Sequence, residues 1–119
     1  MDLITWILIA VIVVLIASRF MPAKGITNIS VEDAKSKFND KDVQFIDVRT
    51  PGEYKANHRE PFKNIPLQSL SGKADKLDKD KEVVVICQSG MRSARASKML
   101  KKMGFNKIYN VRGGMSSWS

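Results

Sequence analysis

Four consecutive β-branched residues, Val83-Val84-Val85-Ile86, constrain this chain more tightly than any other feature. A run of this kind reads as a buried strand. Residues 26–29, 43–46, 64–67 and 107–111 are strand-like or extended as well, and helical stretches separate them. Ser30, with Asp33 three positions on, makes a capping-box-like start for a helix over 31–38. Thr50-Pro51-Gly52-Glu53 is a second box, with proline at the first helical position, for a short helix to about Ala56. A weak helix over 67–77 is interrupted by Ser71 and Gly72. A long helix over 93–103 can turn Ala94, Ala96, Met99, Leu100 and Met103 to the core before Gly104 closes it. This alternation predicts an α/β domain: a central, mostly parallel five-stranded sheet flanked by helices on both faces. Function in such sheets lies beyond the carboxyl ends of the strands. Asp47 with Arg49, Cys87 and Arg112 all fall there.

Past the β-branched run the sequence reads Cys87-Gln88-Ser89-Gly90-Met91-Arg92-Ser93-Ala94. A buried strand thus delivers a cysteine to a tight loop that runs into a helix. The thiolate is the nucleophilic form of cysteine, so such a site must lower the thiol pKa. A helix N terminus offers unpaired N–H groups and partial positive charge. Amides of the curled loop Gln88-Ser89-Gly90-Met91 can converge as an anion nest. Gly90 permits a positive φ. Arg92 adds a fixed charge and a fork of donors suited to a doubly charged oxyanion. These features suit Cys87 as a thiolate, beside a bound anion, or as a persulfide. The competing reading is a buried core cysteine, but packing does not require Gly and Arg at those offsets. The chain has one cysteine and one histidine. No internal disulfide and no zinc spacing can be built from them, so no metal is predicted. An unpaired thiol suits a reducing compartment.

From Gly25 to Trp118 the chain resembles the rhodanese homology domain. The matching residues are the Cys87–Arg92 loop, Asp47-Val48-Arg49, Glu53-Tyr54, His58, Asn64-Ile65-Pro66, and Gly113-Gly114 with Trp118. The resemblance implies a sulfurtransferase without cofactor. Cys87 would take a sulfane sulfur from a small anionic donor, such as thiosulfate, or from a persulfide. With no second cysteine, the acceptor must be external: a small thiol, cyanide or a protein cysteine. Arg92 and the loop amides of Gln88, Ser89, Gly90 and Met91 would hold the anion and the persulfide. Asp47 and Arg49 would form a buried ion pair that shapes the loop, and His58 would make a structural hydrogen bond. Cys87 to Arg92 spans six residues, the family's sulfur-transfer length; a loop one residue longer goes with phosphatases and arsenate reductases of the same fold. A non-catalytic interaction module is the remaining alternative. Arg59 departs from the aliphatic residue usual after the histidine. Arg112 reads either as a source of positive potential near the pocket or as a surface arginine.

Residues 3–17 are almost unbroken in apolarity. Extended to Met21 they would measure roughly 28 Å as a helix, close to a bilayer's hydrocarbon thickness, and Pro22 would stop it. The sequence therefore predicts a membrane-spanning helix and linker over residues 1–24, ahead of a domain over 25–119. Trp6 fits a membrane-interface position. Arg19 and Lys24 on one side and Asp2 on the other place the domain in the cytoplasm of a single-pass protein. The formal net charge of +8 suits an anionic lipid surface. No Lys/Arg block with interleaved aromatics is present, so nucleic acid is not predicted as a partner. The expected partners are the membrane through residues 3–21, the sulfur donor, and an external thiol.

Overall fold

The computed structural model describes residues 2–20 and 25–118. In chain order its regular elements are α1 (Leu3–Phe20), β1 (Ile26–Ile29), α2 (Val31–Ser36), β2 (Val43–Asp47), α3 (Pro51–Ala56), β3 (Lys63–Asn64), α4 (Leu70–Lys73), β4 (Glu82–Ile86), α5 (Met91–Lys102) and β5 (Ile108–Val111). The five strands form one sheet in the order β1-β5-β4-β2-β3. Every neighbouring pair is parallel.

The β-branched run occupies the middle strand, β4, where burial is greatest. Alternation of side chains across a strand sends Val83 and Val85 to one face and Val84 and Ile86 to the other. Val83 and Val85 pack with Ile46, Leu70, Leu100 and Phe105 beneath α4 and α5. Val84 and Ile86 pack with Ala34, Phe45, Phe62 and Met115 beneath α2. An aromatic cluster closes the second face. Phe38 stacks on Trp118 with ring centres 5.8 Å apart, and Phe45 meets Phe62 edge-on at 5.4 Å. Trp118 is half-buried against this core.

Both capping boxes form. Ser30 Oγ accepts from the Asp33 N–H at 3.1 Å, and the Ser30 N–H donates to the Asp33 carboxylate. Thr50 Oγ1 accepts from the Glu53 N–H at 3.2 Å, and the Thr50 N–H donates to Glu53 Oε1 at 3.1 Å. Some boundaries differ from the sequence expectation. Helix α2 stops at Ser36, short of Phe38, whose ring turns into the aromatic cluster. Strand β3 keeps only Lys63–Asn64, because Pro66 then leads into a 3₁₀ turn over Leu67–Ser69. The expected helix over 67–77 is three short turns around α4, as glycine and serine within it predict. In α5, Ala96 and Leu100 are fully buried, with Ser93 and Ser97 beside them, whereas Ala94, Met99 and Met103 are only partly covered.

The expected membrane span is overturned. No helix among the described residues is long and apolar enough to cross a membrane. The apolar run of residues 3–17 within α1 reaches only about 22 Å, against roughly 30 Å of hydrocarbon, before Ser18 and Arg19. Asp2 caps α1: its carboxylate accepts from the Thr5 N–H at 2.9 Å and from the Thr5 hydroxyl at 2.6 Å. Those same bonds hold the Asp2 pKa below its ordinary value. Membrane partnership through residues 3–21, single-pass placement and the cytoplasmic orientation all rested on that span and fall with it. The fold class is corrected to the parallel five-stranded sheet with its flanking helices. The expected linker residues Met21, Pro22, Ala23 and Lys24 lie outside the described residues.

Leu100 is fully buried between α5 and the sheet. Truncating a leucine in such a position removes its transfer free energy and leaves a cavity. Leu100→Ala is expected to destabilise the domain by about 2–5 kcal/mol, read from the midpoint of urea denaturation.

Candidate active site

Cys87 directly follows β4, and its residue is fully buried. The chain then curls through Gln88, Ser89 and Gly90 into α5, with Gly90 at φ +104°. The carbonyls of this turn are taken up on its outer side. Cys87 O accepts from the Met115 N–H at 2.8 Å, and Gln88 O accepts from the Ser116 N–H at 2.9 Å. On those two peptide units the N–H groups of Gln88 and Ser89 are thereby turned the other way, and the Ser89 N–H bonds the sulfur. Gly90 N–H donates to Cys87 Sγ at 3.0 Å, and Ser93 Oγ lies 3.3 Å from the same atom. Burial pushes the thiol pKa up; the side-chain bond between Cys87 and Ser93, in which Ser93 Oγ accepts from the thiol, and the bonds from the N–H groups of Ser93, Gly90 and Ser89 outweigh it, and the net shift is downward. The bowl thus favours a thiolate.

The outer wall of the bowl is the Gly113-Gly114 turn after β5. Gly114 has φ +55°, and a Cβ there would run into Cys87 O. Glycine is needed at this position for two reasons: its backbone conformation, and the close approach that lets Met115 and Ser116 reach the loop carbonyls.

Beneath the loop lies a buried ion pair. Arg49 Nη2 and Nε both donate to Asp47 Oδ2, at 2.8 and 3.0 Å, with both side chains almost fully covered. Arg49 Nη2 also donates to Asn57 O at 2.6 Å, and Nη1 to Gln88 Oε1 at 3.4 Å. The pair therefore ties β2, α3 and the cysteine loop together, and its hydrogen bonds satisfy charges that would otherwise be costly to bury. Asn64 Nδ2 adds bonds to the carbonyls of Asp47 and Arg49.

Arg92 sits at the rim. Its Nη1 and Nη2 donate to Glu53 Oε1 and Oε2 at 2.6 and 2.9 Å. That bond holds the Glu53 carboxyl down to about 2, with the Thr50 N–H and hydroxyl contributing. Ser89, Met91, Arg92 and Arg95 line an open cavity of about 320 Å³ at the mouth. Met91 is 81% exposed there, so its side chain borders the mouth and has no part in the core. A larger cavity, about 410 Å³, lies against β2 and β3 and includes no residue of the cysteine loop. No cluster of His, Cys, Asp and Glu that could hold a metal occurs among the described residues.

Of the residues singled out from sequence, Cys87, Gln88, Ser89, Gly90, Met91, Arg92, Asp47 and Arg49 come together here. His58 does not. Its Nδ1 lies 2.8 Å from Tyr54 O, and its ring stacks on Tyr54 with centres 4.0 Å apart. Arg59 lays its guanidinium over Trp118, 5.8 Å from the ring centre, which accommodates an arginine where an aliphatic side chain was expected. Arg112 is exposed, and its N–H bonds Ile29 O. Sequence reasoning missed Ser93 as a partner of the sulfur, Glu53 as the partner of Arg92, and Met115 and Ser116 as the residues that turn the loop. Ser93, in the first turn of the helix after the loop, was the one with a local signal.

Residues 30–119 match the rhodanese-like domain family. The chain belongs to this family. The putative sulfurtransferase YtwF of Bacillus subtilis is 40% identical to it over 94 residues, covering 78% of this chain and 90% of that protein. A sulfurtransferase of Allochromatium vinosum is 32% identical over 79 residues, covering 66% of this chain and 74% of the other. The structure of a rhodanese-like domain protein from Staphylococcus aureus aligns with a TM-score of 0.72 at 30% identity, covering 78% and 91% of the two chains. The protein is a rhodanese-type sulfurtransferase, with Cys87 as its single candidate catalytic cysteine.

A lowered thiol pKa has a direct kinetic signature. Only the thiolate alkylates, so the rate of iodoacetamide reaction should rise with pH and level off below the range of a free cysteine, about 8.5. Gly114→Ala is expected to push the loop carbonyls away and shift that rise to higher pH, in step with loss of transfer activity.

Proposed function

We propose that Cys87 is the nucleophile of this sulfurtransferase, with thiosulfate and persulfides as its donors. The observation that carries the reading is the convergence of the Gly90 amide and the Ser93 hydroxyl on one sulfur atom whose pKa is thereby lowered. In the first half-reaction the Cys87 thiolate attacks the outer sulfur of the donor. A new S–S bond forms on Cys87, the donor's S–S bond breaks, and sulfite or a thiolate leaves with the electron pair. In the second, an external thiolate or cyanide attacks the outer sulfur of the Cys87 persulfide, and Cys87 departs as the thiolate it was at the start. The same amides serve both ends of the cycle, because thiolate and persulfide are anions centred in the same bowl.

Position in the fold supports the remaining assignments. The amides of Gln88, Ser89, Gly90 and Met91 form the cradle, Arg92 is the rim cation, and the Asp47–Arg49 pair holds the cradle in place without touching the donor. The reading of a catalytic unit over 25–119, which starts ahead of the family match, is supported by β1, a full member of the sheet in register with β5 from Ile26 to Ile29. The six-residue span from Cys87 to Arg92 supports sulfur over phosphoryl chemistry, since it leaves a narrower bowl.

The test is intact mass spectrometry after incubation with donor. The wild-type chain should gain the mass of one sulfur atom and lose it again on addition of cyanide or a thiol. Cys87→Ser should gain none while melting within a few degrees of the wild type. Sulfur gained by Cys87→Ser, or absent from the wild type with every donor, would overturn the assignment.

A further inference from the structure

Arg92 and Arg95 both line the mouth of the proposed site, and both terminal nitrogens of Arg92, the one within the cysteine loop, are taken by Glu53. The pairing is two-pronged, the strongest arrangement an arginine and a carboxylate can make. Glu53 is fixed from its other side as well. Its Oε1 accepts from the Thr50 N–H at 3.1 Å and from the Thr50 hydroxyl at 3.0 Å, and its own N–H completes the capping box of α3. A carboxylate held by three partners costs several hydrogen bonds to displace, and it stays ionised at every physiological pH. Arg92 therefore presents a neutralised pair to the mouth, where Arg95 is the other lining cation.

We propose that Glu53 is a specificity-determining residue: by neutralising Arg92 it turns the site away from doubly charged thiosulfate and toward persulfide donors that carry at most one charge. This rests on the assignment of Cys87 as the sulfur-accepting nucleophile. With a persulfide R–S–SH, the Cys87 thiolate bonds to the outer sulfur, the donor's S–S bond breaks, RS⁻ leaves with the electron pair, and the proton remains on the transferred sulfur. No dianion has to be brought to the thiolate. Thiosulfate brings two negative charges to a thiolate, and with Arg92 neutralised by Glu53 less positive charge at the mouth offsets their repulsion.

Glu53→Gln tests the idea with little damage to the fold, because glutamine also completes a capping box. The two donors are thiosulfate and hydroxyethyl persulfide, each followed by its kcat/KM and by sulfur loading of Cys87. Removing the carboxylate should raise kcat/KM for thiosulfate on the order of tenfold, mainly through a lower KM. The value for the persulfide should stay within about twofold. Glu53→Asp, which keeps the charge, should keep the wild-type donor ratio. Parallel changes for both donors in Glu53→Gln, or a fall confined to thiosulfate, would show that Glu53 merely positions Arg92 and would overturn the selectivity. A ratio shifted as far in Glu53→Asp as in Glu53→Gln would do the same. Failure of the wild type to load sulfur from either donor would instead overturn the underlying assignment of Cys87, and the selectivity with it.

Discussion

Two hydrogen bonds, from Met115 N–H to Cys87 O and from Ser116 N–H to Gln88 O, decide what this site can do. Each peptide has two polar ends, and fixing the carbonyl on one side of a tight turn leaves the N–H to point to the other. The buried sulfur would otherwise sit among Val85, Leu100 and their neighbours, an environment that raises a thiol pKa. With the carbonyls turned out, the same burial becomes an advantage: amide dipoles act on Cys87 where water does not compete. The anchoring residues lie at the far end of the chain, after β5, and reach the loop only because β5 is the direct neighbour of β4 in the sheet.

Sheet topology explains the rest of the assembly. In a parallel sheet all carboxyl ends lie on one side, so β2 brings Asp47, β4 brings Cys87, and β5 brings Gly113 and Gly114 to the same rim. The helices that follow β2 and β4 supply the second tier: α3 carries Glu53 and α5 carries Arg92 and Ser93. The buried Asp47–Arg49 pair crosses between these tiers. It contributes position more than stability, since burying two charges costs much of what their attraction returns.

The sheet and the cysteine loop were legible in the sequence because each rests on local signals. Val83 to Ile86 can hardly be anything but a central strand, Ser30 with Asp33 and Thr50 with Glu53 announce their helices, and Gly90 marks the turn. What was not legible depends on contacts distant in sequence. Nothing around Glu53 says that its carboxylate meets Arg92, thirty-nine positions away, and nothing around Ser116 says that its N–H turns Gln88. The apolar run at the start failed differently. Hydropathy reported what α1 is made of, but the apolar stretch is too short to cross, and a capping bond from Thr5 gives Asp2 a local purpose that charge counting had read as topology.

The carboxylate of Glu53 closes the first turn of α3 and also clasps the guanidinium at the entrance. Secondary-structure integrity and chemical preference are thereby vested in one side chain. A lineage under pressure to accept a different sulfur compound could not alter that group freely, since each replacement would also loosen a helix end. Selectivity would drift most easily through residues such as Met91 and Arg95, which face the solvent at the mouth and bear no such double duty.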